Sequence, residues 1–391
     1  MIADLHCHYP MHLLADDRHP RGRTEGWLDR VRNDLQADIE SLLAPFLNDA
    51  SWKEGWRVDL DKLQQGGARL VCSVLYWPPA EFDFAVKYAS PPLPAYYGDV
   101  KYQLECVEED LRRQDADGTR HVIARKEADL DDERMVFVHC VEGGFHLGPD
   151  LAAIEQEVCW LAEQGVAYIT VAHLFYRQVA SNAPAIPMLS DANYERLFPQ
   201  APGIGLTELG RAAVKAMHKH KVLIDVSHMR QDALDATFTL VEQLDEEAGT
   251  DPLDFPVIAT HVGMRNAGPD QQAYNLSDET AKRIQARGGL IGLITAQHQL
   301  GSTQDAAQSQ AVVSRHLAAI GQLGNGHDAT AIGSDLDGYI KPTLAGISQA
   351  GDLRVLEQWI REAQPADAEK ILYGNARRVL GRVFAARASA D

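Results

Sequence analysis

Short runs of β-branched and apolar residues recur along the whole chain, and most are followed by a stretch with helical periodicity. The runs fall at residues 2–6, 69–75, 135–141, 167–172, 222–227, 256–260, 290–295 and 330–333, eight in all. Helical patterns lie between them at 151–163, 208–220, 231–247, 278–286 and 311–323. Parallel strands need crossover connections, so this alternation predicts a parallel sheet. Eight such units predict a closed (β/α)8 TIM barrel, in which the active site gathers at the C-terminal ends of the strands. An open, doubly wound sheet is the alternative that the pattern leaves.

Two stretches are too long for ordinary loops: about 9–67 after the first strand and about 77–134 after the second. The first looks amphipathic and helical around 26–43 and carries Trp27, Trp52 and Trp56. The second holds the Pro91-Pro92-Leu93-Pro94 turn and looks helical through 100–113. Insertions of this size are expected to be lids, pocket walls or dimer surfaces. No repeat beyond the βα unit is visible, so residues 1–391 read as one barrel domain. Residues 367–388 read as a charged amphipathic helix that packs on it.

The ionisable residues on these strands are concentrated at one end. His6 and His8 sit two apart at the end of the first strand, so period 2 sends both to one side and Cys7 to the other. The third strand ends in Glu142, followed by Gly143-Gly144, which lets another group approach closely. The fourth runs into His173, the fifth into His228, the sixth into His261, and the eighth into Asp335 with Leu336-Asp337-Gly338 behind it. A lone histidine or aspartate at a strand end is usually structural, but six of eight strands ending this way would converge on one bowl. Carboxylates and imidazoles crowded there without a cation would suffer repulsion and desolvation, so a metal ion is the natural compensation. Imidazole and carboxylate ligands suit zinc or a similar divalent ion. His12, His19, His146 and His298 also follow strand ends. His218 and His220 read as helix-end residues facing solvent, His316 and His327 as surface positions, and His121 as part of a polar insertion.

Composition narrows the partners without naming them. The 391 residues are 45% hydrophobic and 24% charged, a globular balance that excludes disorder and a small disulfide scaffold. With 56 acidic and 37 basic side chains the net charge is −19, which argues against a nucleic acid or an anionic membrane as partner. No run of about eighteen apolar residues predicts a membrane span. The five cysteines are scattered without CxxC spacing and read as reduced thiols. The first residues lack the basic and apolar regions of a signal peptide, so a cytoplasmic location is expected.

Read together, these segments resemble the membrane (renal) dipeptidase family of the amidohydrolase superfamily, as a divergent bacterial-type member. The matching segments are Asp4-Leu5-His6-Cys7-His8, Val141-Glu142-Gly143-Gly144, Tyr168-Ile169-Thr170-Val171-Ala172-His173 and Gly205-Leu206-Thr207-Glu208-Leu209-Gly210. They continue with Leu223-Ile224-Asp225-Val226-Ser227-His228, residues 256–261, and Gly333-Ser334-Asp335-Leu336-Asp337-Gly338, in family order from Met1 to about Leu380. The resemblance implies a (β/α)8 barrel with two zinc ions bridged by one glutamate, here Glu142, and by a water or hydroxide. His6, His8 and Asp335 would complete the more buried metal, His228 and His261 the second, and His173 would polarise the substrate. A homodimer and a small-molecule substrate are implied as well.

Two departures matter. The family has His-x-Asp on the first strand, whereas this chain has His6-x-His8, which removes one negative charge from the site. The family also places an arginine just before an Asn-x-x-Asp segment, where it pairs with the dipeptide carboxylate. Here that segment is Asn275-Leu276-Ser277-Asp278 and the preceding residue is Tyr274. A phenol offers one hydrogen bond where a guanidinium offers a bidentate ion pair. Arg265 or Arg177 is the candidate substitute. The expected activity is binuclear zinc-dependent hydrolysis of an amide bond, with a dipeptide as the leading substrate. In it, Asp335 carries the proton from water to the leaving amine, and His173 stabilises the oxyanion. One rival keeps the metals and changes the substrate to an N-acyl amino acid, a lactone or another non-dipeptide. The other is a catalytically silent metal-binding barrel.

Overall fold

The computed structural model describes residues 1–13, 56–82, 86–187, 189–268, 272–340 and 342–389. Its strands, in chain order, are β1 (Ile2–Cys7), β2 (Ala68–Leu75), β3 (His121–Ile123), β4 (Met135–Glu142), β5 (Tyr168–Thr170), β6 (Leu223–Asp225), β7 (Val257–Val262), β8 (Ile291–Leu293) and β9 (Thr330–Ile332). All pair in parallel, in the order β2-β1-β9-β8-β7-β6-β5-β4, and β2 pairs with β4 to close the ring. The result is the eight-stranded (β/α)8 barrel that the alternation predicts. Strands buried on both faces need near-continuous apolar sequence, and β4 shows it: all eight residues of Met135–Glu142 are buried.

The strand β3 is an addition to the expected eight. It pairs with Met135, Val136 and Phe137 at the start of β4, while β5 pairs with Val141 and Glu142 at its end. One edge of β4 therefore serves two strands in turn. Several barrel strands are also shorter than their apolar runs; residues 222–227 contain a strand only at Leu223–Asp225. Beyond it, Val226 still donates its N–H to the Ile258 carbonyl of β7 at 2.8 Å.

The helices start where side chains can cap them. Asp150 accepts from the N–H groups of Ala152 and Ala153 to open Leu151–Glu163, Thr207 from Gly210 to open Glu208–Lys219, and Ser277 from Thr280 to open Asp278–Ala286. Asp305 does the same through Gln308 and starts Ala306–Gly321 five residues ahead of the apolar pattern at 311. The expected C-terminal helix is divided: a π turn at Lys370–Gly374 precedes Asn375–Ala388. There Asn375 Nδ2 donates to the carbonyls of His327 (2.7 Å) and Thr330 (2.8 Å), which fixes the helix to the start of β9.

Of the two insertions, the second carries helix Tyr96–Gln114, joined to helix Leu151–Glu163 by the Tyr97 hydroxyl on the Glu157 carbonyl (3.1 Å). The predicted helix at 26–43, with Trp27, Trp52 and His19, lies outside the described residues. No helix among the described residues is long and apolar enough to cross a membrane. Three histidines expected at the surface are buried. His316 lies between the Met264 N–H and the Leu300 carbonyl, His327 against Thr330, and His218 reaches Asp245 at 2.9 Å instead of solvent.

Candidate metal centre

The C-terminal strand ends do converge. Glu142, the last residue of β4, lies at the centre with both carboxylate oxygens buried and without a hydrogen-bond partner. Four imidazoles point Nε2 at it: His6 at 3.1 Å, His8 at 3.3 Å, His261 at 3.4 Å and His228 at 3.6 Å. Asp335 Oδ1 lies 3.2 Å from His8 Nε2 and 3.9 Å from His6 Nε2. Three sets of donors, His6–His8–Glu142, His6–His261–Asp335 and Glu142–His228–His261, each lie within the span of one cation.

Backbone geometry aims two of these groups. His228 (φ 65°) and Asp335 (φ 58°) take the left-handed conformation just past the strands β6 and β9, a costly choice for non-glycine residues. It turns their side chains inward from the strand direction. Gly338 is required by close approach: a Cβ there would lie 1.8 Å from Asp335 Oδ1 and 2.8 Å from His8.

The electrostatics are those of a site built for positive charge. Burial would raise the Glu142 carboxyl, but His173 and His6 outweigh it and hold its pKa well below the usual carboxylate range. Burial works against protonation of His8, yet Asp335 and Glu142 push its pKa up to about 9. His228 is lowered by burial, and His261 by burial and then by His6. The first site thus attracts a proton where a divalent ion would satisfy the same carboxylates, and His228 and His261 are held as neutral donors. Buried Nε2 and carboxylate oxygens without partners, in an imidazole–carboxylate set, fit a divalent metal.

His173 takes a different place. Its Nε2 lies 3.2 Å from Glu142 Oε2, and its Nδ1 lies 2.5 Å from Glu81 Oε2. Burial opposes its protonation, but Glu142 and Glu81 push its pKa up to about 10. Glu81 was not visible as a site residue in the sequence, because it follows Pro78-Pro79 in an insertion and its partner lies far along the chain. It is held in turn by the Tyr76 hydroxyl (2.8 Å), the Phe175 N–H (2.9 Å) and, through its carbonyl, by Arg177.

Tyr274 also reaches the bowl, its ring edge-on to His228 at 4.9 Å. Its hydroxyl, however, donates to the His261 carbonyl at 2.7 Å, so its proton faces the backbone. Of the two candidate arginines, Arg265 donates through Nη2 to the carbonyls of Ala273 and Asn275, and Arg177 through Nη2 to that of Glu81. Of the remaining strand-end histidines, His12 pairs with Asp110, His146 packs on Phe145 and Tyr76, and His298 lies 3.1 Å from the Ala185 carbonyl.

Comparison with known proteins gives the family and the fold. The family model described as membrane dipeptidase (peptidase family M19) matches residues 2–391. An uncharacterised protein from the pqqA 5′ region of Klebsiella pneumoniae is 29% identical over 196 residues, which is 48% of this chain and 65% of that protein. Among solved structures, the fold is shared with a metallopeptidase from Rhodobacter sphaeroides bound to a phosphinate mimic of L-Ala-D-Ala. The two have a TM-score of 0.67 and 21% identity, and the match covers 98% of this chain and 99% of the other. A dipeptidase of the same peptidase family superposes with TM-score 0.67 and 21% identity over 98% of both chains. The chain belongs to the membrane dipeptidase family.

Proposed function

We propose that this protein is a binuclear, zinc-dependent hydrolase of small amide substrates, with a dipeptide as the leading substrate. The observation that carries the reading is that the Nε2 atoms of His6, His8, His228 and His261 each lie 3.1–3.6 Å from a Glu142 oxygen, and both of those oxygens are unpartnered. His6, His8 and Asp335 would hold one ion and His228 with His261 the other, with Glu142 shared between them. Such a pair supplies a water of lowered pKa and a Lewis acid for the scissile carbonyl.

The rest of the reaction falls to the chain's own residues. Asp335 Oδ1 faces the bowl from the β9 side; it takes the proton of the attacking water and returns it to the leaving amine. His173, whose Nδ1 is held by Glu81, donates from Nε2 to the oxygen on which negative charge develops. Glu81 fixes the ring so that this donor is in place before the substrate arrives.

Tyr274 supports a second reading of the substrate. With its hydroxyl on the His261 carbonyl, Tyr274 itself offers no cation to a free carboxylate where the family has an arginine. That favours N-acyl amino acids, lactones or other substrates without that group in that position. Turnover of the metal-loaded protein on dipeptides, on N-acyl amino acids and on lactones separates the two. Chelation should abolish activity and zinc restore it. Undiminished turnover in Asp335→Asn would contradict its assigned role.

A further inference from the structure

One hydroxyl lies between the two groups of ligands. Thr260 Oγ1, on β7, lies 3.0 Å from His6 Nδ1 and 2.8 Å from His261 Nδ1. It also donates to Asp225 Oδ2 at 2.6 Å. Asp225, at the end of β6, is ringed by donors. Oδ1 accepts from the N–H groups of Ser227 (3.0 Å) and Thr260 (3.0 Å) and from the Ser227 hydroxyl (2.8 Å). Oδ2 accepts from Thr170 (2.6 Å) as well as from Thr260.

This arrangement determines where the protons lie. A hydroxyl has one proton to donate and two lone pairs. With the Thr260 proton on Asp225, its oxygen can only accept from the two imidazoles, so both must carry hydrogen on Nδ1. A second contact gives the same answer for His6. Tyr168 hydroxyl lies 3.0 Å from His6 Nδ1, and it too donates elsewhere, to the Leu5 carbonyl at 2.7 Å. An imidazole protonated on Nδ1 presents a lone pair on Nε2, the atom that both histidines aim at Glu142. The position of Thr260 is itself rigid. Gly292 on β8 and Gly333 beside β9 press against its carbonyl, where a Cβ would lie 1.9 and 1.8 Å away.

We infer that Thr260, oriented by Asp225, is a positioning residue that holds His6 and His261 in the Nδ1–H tautomer and thereby couples the two metal positions. Removing one hydroxyl should weaken both ions together, although Thr260 touches neither. The inference rests on the binuclear reading of the bowl only for its metal consequence; the tautomers belong to the protein alone. Outer partners of this kind typically contribute about ten- to a hundredfold in metal affinity.

The test has two arms. In metal-free protein labelled with 15N-histidine, long-range 15N–1H spectra, assigned with His6→Asn and His261→Asn variants, should show both rings as Nδ1–H. Either ring in the Nε2–H form overturns the inference. In the second arm, Zn2+ affinity is measured by chelator competition for the wild type, Thr260→Val and Thr260→Ser. Thr260→Val should lose about ten- to a hundredfold at both positions, and Thr260→Ser, which keeps the hydroxyl, should stay within about threefold. Asp225→Asn, which places a donor against Thr260, provides an independent variant with the same expected loss. Unchanged affinity in folded Thr260→Val, or a loss confined to one ion, overturns the coupling. A wild type that binds no zinc would refute the metal reading instead, and the spectra would still decide the tautomers.

Discussion

Two regions of the molecule bury histidines beside other polar groups, and they differ in what their nitrogens meet. In the seam around helix Ala306–Gly321, His316 is fully buried, its Nδ1 accepting from the Met264 N–H at 3.0 Å and its Nε2 facing the Leu300 carbonyl at 3.1 Å. Nearby in kind, His218 and Arg287 both pair with Asp245, at 2.9 and 2.6 Å. In the bowl, His6 Nε2, both nitrogens of His8 and both oxygens of Glu142 have no hydrogen-bond partner. Burial alone therefore does not mark a functional histidine here. The mark is several unpartnered imidazole and carboxylate atoms meeting at one point, backed by the Thr260–Asp225 hydrogen bonds behind His6 and His261.

The largest expected effect breaks the comparison at its two carboxylates. Glu142→Ala should remove metal binding and lower activity by about a thousandfold or more. Asp245→Asn should leave metal content and turnover per folded molecule intact while costing about 3–5 kcal/mol in urea denaturation, because it breaks a buried pair. Metal loss in the second variant would erase the distinction. Next comes Glu81→Gln, which removes the charge behind His173 without changing its shape. It should lower kcat by about a hundredfold at unchanged metal content; a change confined to KM would contradict the assigned role of His173.

A smaller effect sharpens the seam side. Burial lowers the His316 pKa to about 4, from an ordinary 6.5. The unfolded chain then binds the extra proton first, so the stability His316 contributes is present above about pH 6.5 and is lost as pH falls through about 4. The structural reason is direct: a proton on Nδ1 would face the Met264 N–H. Stability measured at pH 7.5 and 4.5 should fall by about 2 kcal/mol more in the wild type than in His316→Asn. An equal fall in both would show that His316 does not titrate in this range. The smallest effect is expected from Tyr274→Phe, which deletes one hydrogen bond to the His261 carbonyl. About 1 kcal/mol of stability should be lost, with KM for a dipeptide nearly unchanged. A large rise in KM would show that the hydroxyl serves the substrate after all.

The barrel and the residues that meet in the bowl were legible because strands buried on both faces leave continuous apolar runs, and the residue that ends such a run stands out. His6, His8, Glu142, His173, His228, His261 and Asp335 all stand out in that way. The short strand β3 did not, since three residues inside a polar insertion carry no period. Glu81 was hidden because its meaning comes from contact with His173, not from its own neighbours. Asp225 and Thr260 were read as part of strand segments, although a carboxylate inside an otherwise apolar run, at Leu223-Ile224-Asp225-Val226, was a usable signal of a buried network. His218, His316 and His327 are buried where the sequence predicts exposure, because helical and loop periodicity says which residues are polar, not which polar residues find partners.

A metal count joined to turnover tests the binuclear centre most directly. Purified wild type, Glu142→Ala and chelator-stripped wild type should be measured together for bound zinc and for hydrolysis of a dipeptide panel and of N-acyl amino acids. The prediction is two ions per wild-type chain, fewer than one in the Glu142 variant, and hydrolysis that disappears with the metal and returns with zinc. Amide hydrolysis at an undiminished rate in fully stripped protein would contradict it.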